Sequence, residues 1–387
     1  MSDGVTEVSW AAVCARRLQR HGLAAPLAGA SPADVVAMMC GAHAQILSAA
    51  ELSIGVRLAA GTRADVRNAL WGERSLVKTF GPRGTVHLLP AAELPMWTGA
   101  LSALSPAANG LAKDVRLTPE QIDAVVASIA AALHDAELTI DELGDAVVAD
   151  TGGWAGDLVT PAFQEMWPRW RQALTTAAHR GAVCFGPNRG PNVTYTSPRR
   201  WLPGFRPADG PGALADILRR YLHAYGPATP AHFAQWLNCP RRWATELFDS
   251  LGDELERVEL AGSAAWVCAG DAVAPAAVPD GVRLLPYFDA YVVRGQPREL
   301  LYPGHAAARA LAGGQAGNYP VLLIDGTVAG VWHQRRSGRK IAVTVEPFGR
   351  LTATRSRALE DQVERVGEIL EATPTLTLGT VSVGGHA

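Results

Sequence analysis

The sequence predicts an α+β protein that contains three similar helix-and-hairpin units in series, followed by a β-rich module with a terminal helix. Two observations predict this fold class. Helices with marked N-terminal caps are followed three times by short stretches of strand pattern, and beyond residue 279 strand patterns predominate. The predicted boundaries are 1–112, 113–212, 213–278 and 279–387.

The first unit, 1–112, is predicted to contain three helices and a hairpin. An amphipathic helix spans Trp10–His21, and a second begins at Ser31-Pro32, with serine as the cap and proline in the first turn. A third is predicted over Thr62–Leu76. Phe80–Gly84 then provides a turn before the alternating stretch Thr85–Leu89, which predicts a hairpin.

The second unit, 113–212, repeats this order. Thr118–Gln121 has the pattern of a capping box, a second helix is predicted over Thr139–Ala149, and a third from Thr160 to His179. Strands are predicted at Ala182–Phe185 and Val193–Thr196, separated by a tip that is rich in Gly, Pro and Asn.

The third unit and the C-terminal module complete the chain. The unit is predicted to contain helices at Leu214–Tyr225, Thr229–Leu237 and Pro240–Leu251 and a hairpin of Leu255–Leu260 with Ala264–Cys268. A linker, Gly270–Pro279, precedes predicted strands at Val282–Tyr287, Tyr319–Ile324 and Val328–His333 and a helix at Thr354–Ala372. Helices closed by a β-hairpin are typical of winged helices, so we predict three in tandem.

Charge is distributed unevenly, although the net charge is only −2. Residues 114–165 hold eleven carboxylates and one arginine, whereas residues 180–206 hold five arginines and no acid. Residues 283–340 hold eight basic and three acidic residues. Two segments are therefore suited to contact phosphate.

Several other classes of protein are disfavoured. The N-terminus lacks the pattern of a secretory signal, and no apolar run reaches membrane-spanning length, so we expect a cytoplasmic protein. The five cysteines are scattered, which predicts reduced thiols, mostly buried. Histidines lie apart and no glycine-rich phosphate loop occurs, so we expect neither a metal nor a nucleotide cofactor.

The candidate DNA contacts are cations and amides in the predicted wings and in a basic turn, for which an ordinary solvated loop is the alternative interpretation. The second wing and its flank offer Asn188, Arg189, Arg199 and Arg200. Arg83 lies in the first wing, and the predicted basic turn of the C-terminal module holds Arg335, Arg336, Arg339 and Lys340.

Two polar residues, His43 and Gln45, interrupt an otherwise apolar stretch of small residues. Gly41 weakens a helix here, and in an extended segment residues two apart share a face. The two side chains would then converge, with histidine able to accept a proton from a water molecule that glutamine orients. A buried, hydrogen-bonded histidine is the alternative interpretation.

These residues resemble the bacterial winged-helix DNA glycosylases related to the azinomycin-resistance enzyme, the AlkZ or YcaQ-like family. The resemblance extends over nearly the whole chain. It is carried by Gly41–Gln45, Arg83–Pro90, Leu284–Asp289, Val321–Gly330 and Glu346–Phe348.

The resemblance implies three tandem winged helices, a β-barrel-like C-terminal module, and a monofunctional enzyme that uses water without a nucleophilic lysine. His43 and Gln45 fall on the family's Gln-x-Gln motif, with histidine in place of the first glutamine. This variant implies a branch that excises bulky N7-guanine monoadducts from duplex DNA, with a hairpin carrying Arg189 in the minor groove.

Two other functions are compatible with the helix-and-hairpin units alone: a non-catalytic regulator of transcription and a protein-interaction scaffold. A regulator would bind one palindromic site far more tightly than random duplex, and a scaffold would show little salt dependence. We expect a monomer associated with the nucleoid, whose partner is double-stranded DNA carrying alkylated guanine.

Overall fold

The structure is a computed structural model that describes residues 6–104, 110–162, 165–271, 280–311, 315, 317 and 319–383. The chain divides into two compact units, one formed by residues 1–69 with 218–387 and the other by residues 70–217. The four-part division at 112, 212 and 278 remains a prediction.

Residues 6–69, which belong to the first of these compact units, contain short helices joined by turns. Its elements are β1 Thr6–Val8, α1 Trp10–Arg20, α2 Pro32–Met38, β2 Ala42–His43, α3 Leu47–Gly55 and α4 Arg63–Arg67. Ser31 and Asp34 form a capping box at α2, and Thr62 and Asp65 form another at α4. The predicted helix starts at Ser31 and Thr62 are thus confirmed.

The described part of residues 70–217 contains three β-hairpins and the helices between them. The elements are β3 Leu76–Phe80, β4 Val86–Pro90, α5 Leu94–Ala103, α6 Pro119–Ala132, β5 Glu137–Thr139, α7 Ile140–Thr151, β6 Leu158–Pro161, β7 Met166–Pro168, α8 Leu174–His179, β8 Cys184–Arg189 and β9 Asn192–Thr196. Capping boxes begin α6 at Thr118 and α7 at Thr139. The first box and the start of the second helix were predicted. The hairpin β8–β9 gains β5 as a third strand, in the order β5-β9-β8.

The third helix-and-hairpin segment follows its prediction closely. Its elements are α9 Gly210–Tyr225, α10 Pro230–Leu237, α11 Arg241–Leu251, β10 Leu255–Leu260 and β11 Ser263–Cys268. The N-terminal strand β1 pairs in parallel with β10, which attaches the start of the chain to this hairpin. A small apolar core joins Val8 and Val13 to Val258 and Val267.

The C-terminal module is a five-stranded sheet curled into a half-barrel around a helix. Its elements are β12 Val282–Leu285, α12 Arg298–Leu301, α13 His305–Ala310, β13 Val321–Ile324, β14 Thr327–Ser337, β15 Lys340–Pro347, α14 Ala353–Leu370 and β16 Thr373–Leu378. The strand order is β12-β13-β14-β15-β16. Helix α14 contacts both edge strands, β12 and β16, so the sheet must curve around it.

Two local predictions were wrong. The predicted helix from Thr160 is instead the hairpin β6–β7, and only Leu174–His179 is α-helical, because Pro168 would interrupt the hydrogen bonds of a continuous helix. The predicted helix Thr62–Leu76 ends in a π-helical turn at Gly72, and Leu76 begins a strand. Strand β16 was missed; it is half-exposed or exposed along its length.

Other expectations concern the composition of the chain. None of the five cysteines forms a disulfide bond; Cys14, Cys40 and Cys184 are buried and the other two half-buried, as predicted. Within the described ranges, no helix combines the length and apolar character needed to cross a membrane. Most of the predicted linker, residues 272–279, lies outside the described residues.

Candidate active site

The segment that carries His43 and Gln45 is not helical: β2 covers Ala42–His43, and Gln45 lies in a bend. Helix α2 stops because Cys40 and Gly41 both adopt positive φ angles, 55° and 96°, which turn the backbone out of the helix. β2 follows at once, and α3 begins only at Leu47. The hydroxyl of Tyr225 donates to the Met39 carbonyl at 2.9 Å and secures this turn.

Burial alternates along residues 42–45. Ala42 and Ala44 are each 1% exposed, whereas His43 is half-buried and Gln45 is exposed. The alanines therefore belong to the core, and the side chains of His43 and Gln45 are accessible to solvent.

An aromatic ring that sequence reasoning assigned no role lies against His43. The rings of His43 and Phe288 stack with centroids 4.5 Å apart and an interplanar angle of 26°. Phe288 is half-buried and lies just after β12, in the Leu284–Asp289 stretch that carries the family resemblance. Sequence reasoning could locate the stretch but not the partner of its aromatic residue.

A fully buried ion pair lies next to this contact, because one of its members, Asp289, follows Phe288 in the chain. Asp289 and Arg57 are both 0% exposed, and two N···O distances of 2.8 Å join the guanidinium to both carboxylate oxygens. Ser53 Oγ donates to Oδ2 at 2.6 Å, and the Tyr291 amide donates to Oδ1 at 2.9 Å. Each carboxylate oxygen thus accepts two hydrogen bonds.

The ion pair decides the ionisation of Asp289. Burial alone would raise the pKa of this carboxyl, but the charge of Arg57 and hydrogen bonds from Arg57, Ser53 and the Tyr291 amide hold the pKa below its ordinary value. Asp289 is therefore a carboxylate at neutral pH. With 0% exposure, the carboxylate is out of reach of solvent.

A second histidine, His21, lies deep beneath the candidate site. Its ring packs edge-on against Tyr225 and Tyr291, with centroid distances of 4.8 Å and 5.5 Å. Burial and the neighbouring Arg57 charge lower the pKa of His21 to about 3. His21 is thus neutral at physiological pH and belongs to the core.

The predicted DNA contacts of the wing β8–β9 are exposed, but one is engaged within the protein. Asn188 and Arg189 lie at its tip, where Arg189 forms an ion pair with Glu142 at 2.8 Å and donates to the Glu137 carbonyl at 2.7 Å. Arg199 and Arg200 are exposed in a 3₁₀ turn after β9, and Arg200 donates to Thr196 Oγ1 at 2.7 Å.

The remaining predicted contacts lie in two other turns. Arg83 is half-buried in the turn between β3 and β4, with a positive φ of 64° and a nitrogen 3.4 Å from His87 Nε2. Arg335, Arg336, Arg339 and Lys340 are all exposed around the turn between β14 and β15. Arg336 also donates to the Leu370 carbonyl at 2.8 Å, so its guanidinium is anchored to the end of α14.

The described residues contain no group of three or more His, Cys, Asp or Glu side chains arranged to hold a metal ion. The half-buried His43 and the exposed Gln45 offer an imidazole and an amide as chemical groups. This pair suits the orientation and deprotonation of water.

Comparison with known proteins defines the class as DNA glycosylases, enzymes of DNA repair. The family model described as DNA glycosylase AlkZ-like matches residues 36–369. The chain therefore belongs to the AlkZ-like family of DNA glycosylases, as its sequence motifs predicted.

Two relatives illustrate the similarity. The interstrand DNA cross-link repair glycosylase of Streptomyces sahachiroi is 35% identical over 353 residues, which cover 84% of this chain and 88% of the relative. The solved structure of the Streptomyces sahachiroi DNA glycosylase AlkZ matches with a TM-score of 0.79 and 31% identity, covering 97% of this chain and 100% of that chain. The similarity in fold thus extends over the whole enzyme.

Proposed function

We propose that this protein is a monofunctional DNA glycosylase that hydrolyses the N-glycosidic bond of N7-alkylguanine in duplex DNA, above all in bulky antibiotic monoadducts. The observation that supports the proposal is that His43 and Gln45 are the solvent-accessible side chains of a short non-helical segment whose alanines are buried. Histidine can accept a proton near neutral pH, and an amide beside it can hold the attacking water.

Alkylation at N7 gives guanine a positive charge, which makes the base a good leaving group. The protein therefore does not need to protonate the base. As the C1′–N9 bond breaks, its electron pair neutralises the departing base. The water oxygen forms a bond to C1′, and His43 takes a proton from that water while Gln45 orients it. The proposed role of the site is thus to place water beside an oxocarbenium-like sugar.

Water as the nucleophile also removes the need for a lysine, because no Schiff base is formed. The chain has three lysines: Lys78, Lys113 and Lys340. Burial lowers the pKa of Lys78, whose ammonium lies 4.7 Å from the centroid of the Phe185 ring. We assign this ammonium to packing against the wing β8–β9 and not to catalysis.

Duplex binding would use the three helix-and-hairpin segments as winged helices. Exposed cations in the wing β8–β9, in the turn after it and in the β14–β15 turn would contact phosphates. Arg189, at the wing tip, is our candidate for insertion into the minor groove. A bulky adduct does not fit a snug base pocket, so we propose action within the duplex without full base flipping.

The name of the Streptomyces sahachiroi relative extends the range of substrates to be tested. That protein is named for interstrand cross-link repair, whereas this chain has histidine in the first position of the motif. We propose monoadducts as the primary substrates and self-resistance or alkylation repair as the role. We propose that the enzyme works as a monomer and without a cofactor.

The decisive experiment measures base release in single-turnover reactions. Duplexes carrying N7-methylguanine, a bulky N7-guanine monoadduct or an N7-linked interstrand cross-link are incubated with protein, and alkali then cleaves any abasic sites. We expect fastest release from the bulky monoadduct and no protein–DNA adduct after borohydride treatment. No release from any of the three duplexes would refute the proposed activity, and a borohydride-trapped adduct would refute the monofunctional mechanism.

A further inference from the structure

Phe288 covers one face of the His43 imidazole. The centroid separation of 4.5 Å and the angle of 26° describe two nearly parallel rings in van der Waals contact. Both rings are half-buried, so the contact lies where the protein meets solvent. A half-exposed aromatic residue adds less to core stability than a fully buried one, so core packing is a weaker reason for the presence of Phe288 at this place.

The backbone of Phe288 is held in an uncommon conformation. Its φ angle is +56°, in the left-handed region that bulky residues rarely adopt. Such a conformation persists only where the surroundings enforce it, and it is typical of functional sites. The next residue, Asp289, is held by the buried ion pair with Arg57.

A second restraint acts from Gly317. The amide of Phe288 donates to the Gly317 carbonyl at 3.0 Å. A Cβ added to Gly317 would lie 3.1 Å from Phe288 Cδ1 and 3.2 Å from its Cα, closer than most such contacts. The same Cβ would lie still closer, 2.7 Å, to Val293 Cγ2, and Gly317 has a φ of +92°, so glycine is required here both by its backbone and by the packing of Val293 and Phe288.

We propose that Phe288 is a positioning residue for His43. By covering one face of the imidazole, the Phe288 ring keeps solvent from that face and limits rotation of the His43 side chain. A nitrogen of His43 then faces the water that Gln45 orients. The Asp289–Arg57 ion pair holds the backbone that carries the ring. This inference rests on the proposed function, because it gives Phe288 a role only through His43.

The alternative is that Phe288 merely fills space. A space-filling residue would affect folding, and its removal would add to the effect of any other substitution. A residue that acts through His43 would lower the rate only while His43 is present. The two roles are therefore separable by a double-mutant cycle.

The test compares Phe288→Leu, Phe288→Tyr, His43→Ala and the double variant His43→Ala/Phe288→Leu in single-turnover release of the bulky N7-guanine monoadduct. Phe348→Leu is the matched control, because Phe348 is also half-buried and contacts a histidine ring, that of His305, at 5.0 Å. Duplex Kd and the thermal midpoint are measured for every variant.

We expect Phe288→Leu to slow release about tenfold, a loss of about 1.4 kcal/mol in transition-state stabilisation, with Kd unchanged. Phe288→Tyr, which keeps the flat ring, should release the base at close to the wild-type rate. The double variant should be no slower than His43→Ala. Gly317→Ala should slow release as well, because its Cβ would press on Val293 and Phe288 and strain the backbone that accepts the Phe288 amide, without altering either ring.

Two results would overturn the inference: a wild-type rate for Phe288→Leu, or a further loss in the double variant equal to that of Phe288→Leu alone. If Phe288→Leu is too unstable to assay, the rates of Phe288→Tyr and Gly317→Ala decide. A wild-type protein that releases no base would instead refute the proposed function itself.

Discussion

Arg57 and Asp289 form a bidentate ion pair, with both N···O distances 2.8 Å and neither side chain reached by solvent. The pair joins the end of helix α3 to the loop after β12, across a sequence separation of 232 residues. It thus connects the segment just after His43 and Gln45 to the C-terminal module. Phe288, the neighbour of Asp289, reaches His43 from that loop.

The first prediction concerns the two proposed active-site residues. His43→Ala and Gln45→Ala should each reduce single-turnover base release at least tenfold, which corresponds to more than about 1.4 kcal/mol of transition-state stabilisation. Duplex affinity should not change, because neither residue is proposed to contact phosphate. Gln235→Ala, an exposed glutamine on α10, is the control. Wild-type rates for both variants would contradict the proposed catalytic roles and leave His43 and Gln45 with a structural role.

The second prediction concerns the buried ion pair. Asp289→Ala leaves the Arg57 charge buried without its partner, and we expect a loss of about 3–5 kcal/mol in the free energy of unfolding. Urea denaturation followed by circular dichroism measures this loss. Glu246→Ala removes the exposed pair with Arg242 and should cost no more than about 0.5 kcal/mol. Equal effects of the two substitutions would contradict the role assigned to Asp289.

The third prediction is a loss of stability on mild acidification. Burial lowers the pKa of His21 to about 3, below the ordinary value of 6.5. Because the folded pKa is depressed, the unfolded state binds the proton more readily, so stability is complete above pH 6.5 and declines as pH falls toward 3. Between pH 6.5 and 5, His21 should contribute a loss of about 1.5 kcal/mol.

The His21→Phe variant tests this assignment, because it keeps a flat ring between Tyr225 and Tyr291 and removes the titratable group. Urea midpoints at pH 7 and pH 5 should differ less in this variant than in the wild type. Part of the difference should remain, since burial also lowers the pKa of His179 and His232 to about 4. An unchanged pH dependence would assign acid sensitivity to other groups.

The fourth prediction concerns the ion pair between Arg189 and Glu142. Glu142 belongs to the capping box of α7, a position where glutamine serves as well, so Glu142→Gln should preserve the helix start. The substitution should release Arg189 and tighten binding to undamaged duplex a few-fold at low salt. Fluorescence anisotropy measures the affinity. The gain should vanish in the Arg189→Gln background, and its persistence there would reveal only a general effect of charge.

The fifth prediction concerns the basic turn between β14 and β15. Replacing Arg335, Arg339 and Lys340 by Gln should weaken duplex binding and reduce the slope of log Kd against log salt by about one unit for each phosphate that the variant no longer binds. Arg357→Gln, an exposed cation on α14, is the control for charge alone. An unchanged slope would make this turn an ordinary solvated loop.

Local sequence patterns predicted most helices and hairpins because caps and turns depend on residues close in sequence. The starts of α2, α4, α6 and α7 were each marked by a Ser or Thr whose side chain caps the helix. The same approach failed at Thr160, where a Thr-Pro pair begins no helix because a later proline and strand pairing prevail. It also missed β1 and β16, whose pairing depends on distant strands.

By itself, the sequence determined most of the helices and hairpins, the break in the helix at Gly41 before His43 and Gln45, and the family to which the chain belongs. These features depend on short-range backbone preferences and on motifs that lie within a few residues. Only the tertiary structure decided that Phe288 stacks on His43, that Asp289 is neutralised by Arg57 and that Glu142 engages Arg189. Each of these contacts joins residues from separate elements, and their partners are set by how those elements pack, which no local pattern encodes.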